Sequence, residues 1–366
     1  MKICFDARMM GAGHTRGIGR YIEEILKAMI IVAPENEFTI IARTSEHALK
    51  NHDCIKTIIA DIPWYSAKEQ IRLPQVLESV DCDLVHFPHW NIPLAYRKPF
   101  VVTIHDLLLK HQSMSSKVSL KSWPLRLVKK AGYGVALNYA VRGSRKIIVP
   151  TEFVKRDLLS FYSDIEEKVS VTGEGLSILP KICSLKLDYN YLLYVGSAYP
   201  HKRVEDLLSA WSVLMNEYKN LHLVIAGEMD EFMQRINILA KDMLLDRVVF
   251  KGRVSDQELA DLYHGALGFV FPSSFEGFGH PPLEALAHDC PVICSDAGPM
   301  KEVLGDDGVI YFKTGEVNGM INAVKTVVDN QIEYKNKVLA VKNKLENRFS
   351  WERVAQKTLD IYKQAL

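Results

Sequence analysis

The chain alternates short apolar runs with stretches in which apolar residues recur every three to four positions, and it does so in two successive series. The first predicts strand 2–6, helix 17–32, strands 37–42 and 55–59, helix 66–80, strands 83–87 and 99–104, helix 125–142, strand 146–150, and a helix from Thr151 to about Tyr162. The second predicts strand 191–195, helix 203–218, strand 221–226, helix 230–243, strand 247–251, helix 255–264, strand 267–271, helix 282–288, strands 291–294 and 309–312, and helix 316–328. Between the series, Val169 to Lys186 loses periodicity and reads as a linker. Trp351 to Ala365 is an amphipathic helix behind a Ser350 N-cap, suited to pack back across the junction. Strand–helix alternation of this kind predicts parallel, doubly wound sheets. The expected class is therefore α/β, with Rossmann-like domains at 1–172 and 173–350 and a C-terminal helix, 351–366, crossing back towards the first.

Length agrees: 366 residues, 48% of them hydrophobic, suit two cores of ordinary size. Two such domains imply a cleft between them. No apolar run approaches the roughly 20 residues that span a bilayer, and MKICFDAR reads as a buried first strand, so a cytoplasmic protein is expected. The six cysteines are scattered without metal spacing and read as reduced core thiols. Net charge is +1, but residues 1–183 hold 25 Lys and Arg against 19 Asp and Glu, so the first half is basic. From Leu107 to Thr151 there are nine cations (Lys110, Lys117, Lys121, Arg126, Lys129, Lys130, Arg142, Arg145, Lys146), no acid, and Trp123, Tyr133 and Tyr139. Such a stretch is either a solvated face or a patch that docks on anionic lipid. No nucleic-acid recognition motif accompanies it, and no nucleic-acid partner is expected.

In doubly wound sheets ligands lie beyond the carboxyl ends of the strands, and the chemistry-bearing motifs all fall there. After the first strand, Gly11, Gly13, Gly17 and Gly19 precede Arg20; glycines let backbone N–H groups approach a phosphate, but the spacing is not that of a dinucleotide fingerprint, which disfavours a dehydrogenase. His105 and Asp106 close a strand, where a histidine can bond a ligand hydroxyl or serve the core. Lys202, at the mouth of a helix, is a compact cation suited to a diphosphate or an exposed first-turn lysine. In FPSSFEGFGHPPLEALA, Glu276 and Glu284 are separated by seven residues. The intervening GFGHPP is expected to be non-helical, with Glu276 on a loop and Glu284 on the next helix. The backbone of Gly277, Phe278 and Gly279 with the helix N-terminus would then form an anion cradle.

RGIGRY, TIHD, VGSAYPHK, EGFGHPPLEALA and FSWERVAQKTLDIY follow the order and spacing of the retaining family 4 glycosyltransferases of GT-B fold, which the chain resembles over almost its whole length. The resemblance implies an acceptor-binding first domain, a nucleotide-sugar-binding second domain, and transfer without a protein nucleophile. By it, His105 would contact the transferred sugar, Lys202 would neutralise the diphosphate, and Glu276 would bind the donor sugar's hydroxyls. Glu284 would hold the ribose, the backbone near Arg253 and Val254 would meet the base, and the glycine loop with Gly17, Gly19 and Arg20 would face donor phosphate and acceptor. Ser197 departs from the family, which often has arginine there; His201, Arg203 and Arg20 are candidates to supply the missing charge.

The expected activity is transfer of a hexose, mannose from GDP-mannose, to a lipid-linked or growing bacterial surface polysaccharide or lipopolysaccharide, on the inner face of the plasma membrane. The alternatives are a nucleotide-sugar epimerase of the same fold and a non-enzymatic nucleotide-sugar sensor. Asp81-Cys82-Asp83 looks like a metal-binding Asp-x-Asp, but it precedes strand 83–87 at its amino end, away from the expected site; no metal is expected.

Overall fold

The computed structural model describes residues 1–11, 16–45, 47, 49, 52, 54–111, 123–179 and 187–366, without the side chains of residues 16 and 123–130. The described chain divides into two compact units: one holds the chain up to Gly175 together with Phe349–Leu366, the other Leu176–Arg348.

The first unit runs β1 (Lys2–Asp6), α1 (Arg16–Val32), β2 (Glu37–Ala42), β3 (Ile55–Ile59), α2 (Ala67–Glu78), β4 (Leu84–Phe87), β5 (Phe100–Thr103), α3 (Leu108–His111), α4 (Trp123–Gly143), β6 (Lys146–Val149), α5 (Glu152–Phe161) and β7 (Val169–Val171). Its sheet has the order β3-β2-β1-β4-β5-β6-β7, every pairing parallel. The central strands β4 and β5 are buried at every residue, as a parallel sheet covered on both faces requires, whereas the edge strand β3 is half-exposed.

The second unit runs β8 (Asn190–Val195), α6 (Val204–Glu217), β9 (Leu221–Ala226), α7 (Glu231–Asp242), β10 (Val248–Gly252), α8 (Asp256–Gly265), β11 (Gly268–Phe271), α9 (His280–Ala287), β12 (Val292–Ser295), α10 (Met300–Leu304), β13 (Val309–Phe312), α11 (Val317–Asp329) and α12 (Gln331–Arg348). Its sheet order is β10-β9-β8-β11-β12-β13, again parallel. Side-chain caps start α7 (Asp230 to the Met233 N–H, 2.9 Å) and α8, where Ser255 and Glu258 form a reciprocal capping box. The final helix, α13 (Trp351–Ala365), returns to the first unit and buries Trp351, Val354, Leu359 and Tyr362 in the same cluster as Ile22, Ile25 and Met29 of α1.

The segment expected to be a linker contains β7, a three-residue edge strand too short to show a period. α12 was not anticipated: its buried positions, Val338, Val341 and Leu345, are sparse on an otherwise polar helix.

The basic stretch 107–151 changes character in three dimensions. Lys117 and Lys121 lie outside the described residues, as do the side chains of Trp123, Arg126, Lys129 and Lys130. Tyr133 is buried edge-on to Trp90 with ring centroids 4.6 Å apart, and Tyr139 stacks on Phe100 and hydrogen-bonds the Tyr96 carbonyl, so both serve the core rather than an outer surface. Arg142 pairs with Asp164, so the cations also meet an acid that the local sequence did not show. Among the described residues no helix is long and apolar enough to cross a membrane.

Candidate active site

In the second unit the site forms on loops after β8 and β11, which are neighbours in the sheet. β8 ends at Val195, and Gly196 (φ +145°) turns the chain close beneath β9: a Cβ at Gly227 would lie 2.1 Å from the Gly196 carbonyl oxygen. The Tyr194 hydroxyl donates to the Ser197 carbonyl (2.6 Å), fixing this turn. A 3-10 turn, Pro200–Lys202, then delivers Lys202. Its position is set from the loop after β11: the His201 carbonyl accepts from the Ser274 N–H (2.7 Å), the Ser274 hydroxyl (3.0 Å) and the Ser273 hydroxyl (3.2 Å).

These bonds bring Lys202 Nζ to 2.6 Å from Glu276 Oε1, with the ammonium also 5.3 Å from the centre of the Phe271 ring. Both members are mostly shielded, at 17% and 13% side-chain exposure, which strengthens their attraction over that of a surface pair. Lys202 and Glu276, 74 positions apart, thus form one centre. His201 beside them is driven down to about 4 by burial and then by the Lys202 charge, so it is a neutral imidazole at neutral pH and contributes no cation. Arg203, in the left-handed region at φ +51°, turns its guanidinium to Asp206 (2.5 Å). Of the two, only Arg203 carries a positive charge here, and it shares that charge with Asp206.

The helix expected at 282 begins at His280, so His280, Pro281 and Pro282 are helical. Proline is tolerated in a first turn because its missing N–H would have had no partner there. The cost falls on the cradle: two of the four amides that normally point out of a helix N-terminus are absent, leaving those of Gly279 and His280. Gly279 is required by its backbone, at φ +97°; a Cβ there would also displace the flexible tip of Met300, 2.5 Å away. The Phe278 side chain is buried and Gly277 is buried beside it. Glu284 is buried on α9 and accepts from the Tyr263 hydroxyl at 3.2 Å. Arg253 is exposed and Val254 buried just beyond β10, after Gly252 at φ +67°.

In the first unit His105 follows β5. Its Nδ1 is 2.7 Å from Glu174 Oε1 and its Nε2 3.0 Å from the Pro88 carbonyl oxygen. The ring lies edge-on to Tyr21 of α1, at 4.8 Å between centroids. Glu174 is buried, and the following Gly175 has no room for a side chain: a Cβ would stand 2.2 Å from the Trp351 ring of α13. Behind this pair the Tyr21 hydroxyl meets Thr103 Oγ1 (3.3 Å), which meets His86 Nε2 (2.8 Å), whose Nδ1 meets the Tyr362 hydroxyl of α13 (2.5 Å). Burial, with a smaller contribution from His105, drives His86 down to about 3 and keeps it neutral within the chain. A second buried set pins the loops after β1, β3 and β4: Arg8 donates to Asp6 (2.8 Å) and Glu69 (2.7 Å), and Glu69 accepts from the Tyr65 N–H (2.8 Å) and the Asn91 amide (2.7 Å). Gly17, Gly19 and Arg20 lie inside α1, which starts at Arg16, rather than on a loop; Gly17 is exposed and Arg20 half-buried.

Glu174, Tyr21, His86, Tyr362, Arg8 and Glu69 were not anticipated. Glu174 sat in the apparent linker, and the signal that could have found it is the acid and two glycines packed into Thr172-Gly173-Glu174-Gly175 directly after the β-branched alternation Val169-Ser170-Val171. Asp81 and Asp83 lie at the amino ends of β1 and β4, where Lys2 engages both, Nζ to Asp81 (2.6 Å) and N–H to Asp83 (2.8 Å).

Two family models match: "Glycosyltransferase Family 4" over residues 15–177 and "Glycosyl transferases group 1" over 179–344. The chain is 28% identical over 264 residues, 72% of it and 70% of the other, to the O-antigen chain mannosyltransferase RfbU of Salmonella typhimurium strain LT2. It is 23% identical to O-antigen chain mannosyltransferase B of Escherichia coli over 99% of this chain and all of that one. Sucrose-phosphate synthase from Thermosynechococcus elongatus, 18% identical, superposes with a TM-score of 0.79 over 100% of this chain and 98% of the other, and shows the same fold. With two parallel Rossmann-like units and a matching model on each, the chain belongs to the GT-B glycosyltransferases of family 4 and group 1.

Proposed function

We propose that the chain transfers mannose from GDP-mannose, with retention of anomeric configuration and without a metal, onto a lipid-linked or growing surface polysaccharide. The observation that carries the reading is the Lys202–Glu276 pair, a cation suited to a diphosphate and a carboxylate suited to sugar hydroxyls, 2.6 Å apart at the carboxyl ends of adjacent strands. Mannose and a surface polysaccharide are supported by the two relatives, both O-antigen chain mannosyltransferases. Docking on the cytoplasmic face of the membrane through 107–151 belongs to the same proposal; it rests on the cations of that stretch, since Tyr133 and Tyr139 are committed to the core.

In the proposed step the bond between the sugar's C1 and the donor phosphate oxygen breaks, and a bond from C1 to the acceptor oxygen forms on the same face. The acceptor's hydroxyl proton passes to the departing phosphate. The protein's part is to hold the reactants and stabilise the diphosphate, and one well-placed donor is worth roughly 3 kcal/mol. An ammonium has three donors, so Lys202 can keep Glu276 while bonding phosphate oxygen. Glu276 would thereby be anchored while it orients the hexose, and Glu284 would hold the ribose.

A thermal-shift comparison of GDP-, UDP- and ADP-sugars tests the donor. At 100 times its dissociation constant a ligand stabilises by about 2.7 kcal/mol, and GDP-mannose is expected to give the largest shift. A larger shift with UDP- or ADP-sugars would overturn the donor assignment, and turnover of donor without acceptor would replace transfer by epimerisation.

A further inference from the structure

An open groove of about 870 Å3 lies at the opposite edge of the second unit's sheet from Lys202 and Glu276. It is framed by the amino ends of β8 and β9 and by the last turn of α8. Tyr189 lines it and stacks on His222, ring centroids 3.9 Å apart and planes 27° from parallel. Nδ1 of His222 finds no partner in good hydrogen-bond geometry. Asp188 and Asn220 lie exposed on the rim with Lys219, and the carboxylate of Asp261 is buried in the wall.

We infer that this groove is a second binding site, separate from the transfer site, for a neutral oligosaccharide. Three features favour that class. The volume falls within the range of small-ligand sites, roughly 300–1,000 Å3, with room for more than one sugar ring. A half-buried aromatic ring offers its negative face to the weakly positive C–H groups of a pyranose. The polar groups mix donors (Lys219, the Asn220 amide) with acceptors (the Asp188 carboxylate, the Asn220 amide oxygen), and a sugar hydroxyl is both donor and acceptor. An anion is disfavoured, because the exposed Asp188 carboxylate and the partial negative charge of the α8 C-terminus face it beside Lys219. A bare cation would leave the donors unused. Such a site would hold a polymeric acceptor or product on the enzyme between transfers.

The test is amide hydrogen exchange on the intact chain with short mannooligosaccharides, maltooligosaccharides as a second series, and glucose 1-phosphate as an anionic comparison. At ten times its dissociation constant a bound glycan slows exchange about tenfold, expected in residues 187–191 and 219–222. Tyr189→Ala should abolish that protection and Tyr189→Phe preserve it; His222→Gln, which keeps a polar side chain but removes the ring beneath Tyr189, should weaken it. Transfer to a short acceptor should be the same in all three variants. No protection by either neutral series, equal protection in wild type and Tyr189→Ala, or protection by glucose 1-phosphate alone would overturn the inference. So would loss of transfer to the short acceptor in Tyr189→Ala, which would make the groove part of the transfer site. The readout does not depend on donor identity, so failure of the GDP-mannose assignment leaves this outcome distinct.

Discussion

The two units each present a largely shielded pair at the carboxyl edge of a parallel sheet, but the pairs are built differently. In the second unit, Lys202 and Glu276 stand on loops tied backbone to side chain through His201, Ser273 and Ser274, and they hold opposite full charges 2.6 Å apart. In the first, His105 and Glu174 are fixed from behind by a chain of neutral groups, Tyr21, Thr103, His86 and Tyr362, that ends on the last helix of the protein. The first arrangement presents a charge that a diphosphate can use. The second spends its contacts on orientation, with both nitrogens of the His105 ring already facing acceptors. On the proposed reading, Lys202 serves the transfer through its charge and His105 through its orientation, and substitutions should separate the two.

The largest effect is expected at Lys202. Lys202→Ala removes the cation from a partly dry site and should lower single-turnover transfer by about 100–1,000-fold, the range for loss of one preorganised donor. Lys202→Arg keeps the charge but exchanges a compact ammonium for a fork that can grip Glu276 with two bonds, so its loss should be distinctly smaller. Equal rates in the two variants would remove Lys202 from the reaction and with it the contrast between the units. A smaller effect is expected at Glu174. Glu174→Gln preserves shape and one hydrogen bond to His105 but removes the carboxylate charge; the difference between a charge-assisted and a neutral bond, about 1.4 kcal/mol, is about tenfold in kcat. Donor KM should change less than kcat, because His105 would touch only the transferred sugar and not the diphosphate or base of the donor. Wild-type kcat in Glu174→Gln, alongside a loss in His105→Ala, would show that His105 needs no partner.

The same contrast decides what the sequence could show. Strands β1 to β6 and β8 to β13 were legible because buried parallel strands are nearly unbroken apolar runs, and the longer helices between them because one face packs on the sheet; the short α3 and α10, four and five residues, are too brief to show a helical period. Glu276 and Glu284 were legible because the residues between them are contiguous, and two prolines restrict where a helix can begin. Even there, the period could not tell that the prolines fill the first turn instead of preceding it. The His105–Glu174 pair was half legible: β5 marks His105, but Glu174 lies 69 residues on, after an edge strand of three residues. Its proximity is a product of sheet order, β5 beside β6 beside β7, which local pattern does not contain. The Tyr362 hydroxyl, 276 residues from His86, belongs to the same class of long-range facts. Charge patterning failed for a related reason, since Asp164 reaches Arg142 from outside the stretch that looked free of acid.

The smallest effect, none at all, is expected on chelation. Asp81 and Asp83 have the spacing of a metal-binding pair, but they sit at the amino ends of β1 and β4, whereas His105 follows the carboxyl end of β5 in the same sheet. A lysine ammonium and a backbone N–H already occupy their oxygens, at 2.6 and 2.8 Å. Holding a divalent ion there would require displacing Lys2, and the ion would remain a sheet's length from Glu174 and His105. Positive charge for the departing diphosphate is instead available from Lys202 in the second unit. Transfer measured with and without excess EDTA should therefore agree, and Asp81→Asn combined with Asp83→Asn should match wild type, because an exposed ion pair such as Lys2–Asp81 is worth about 0–1 kcal/mol to stability. Strong inhibition by EDTA that manganese reverses would establish a metal in the reaction. If the double variant then lost activity as well, the metal would be assigned to Asp81 and Asp83, and the transfer site would have to be sought at the amino edge of the first sheet.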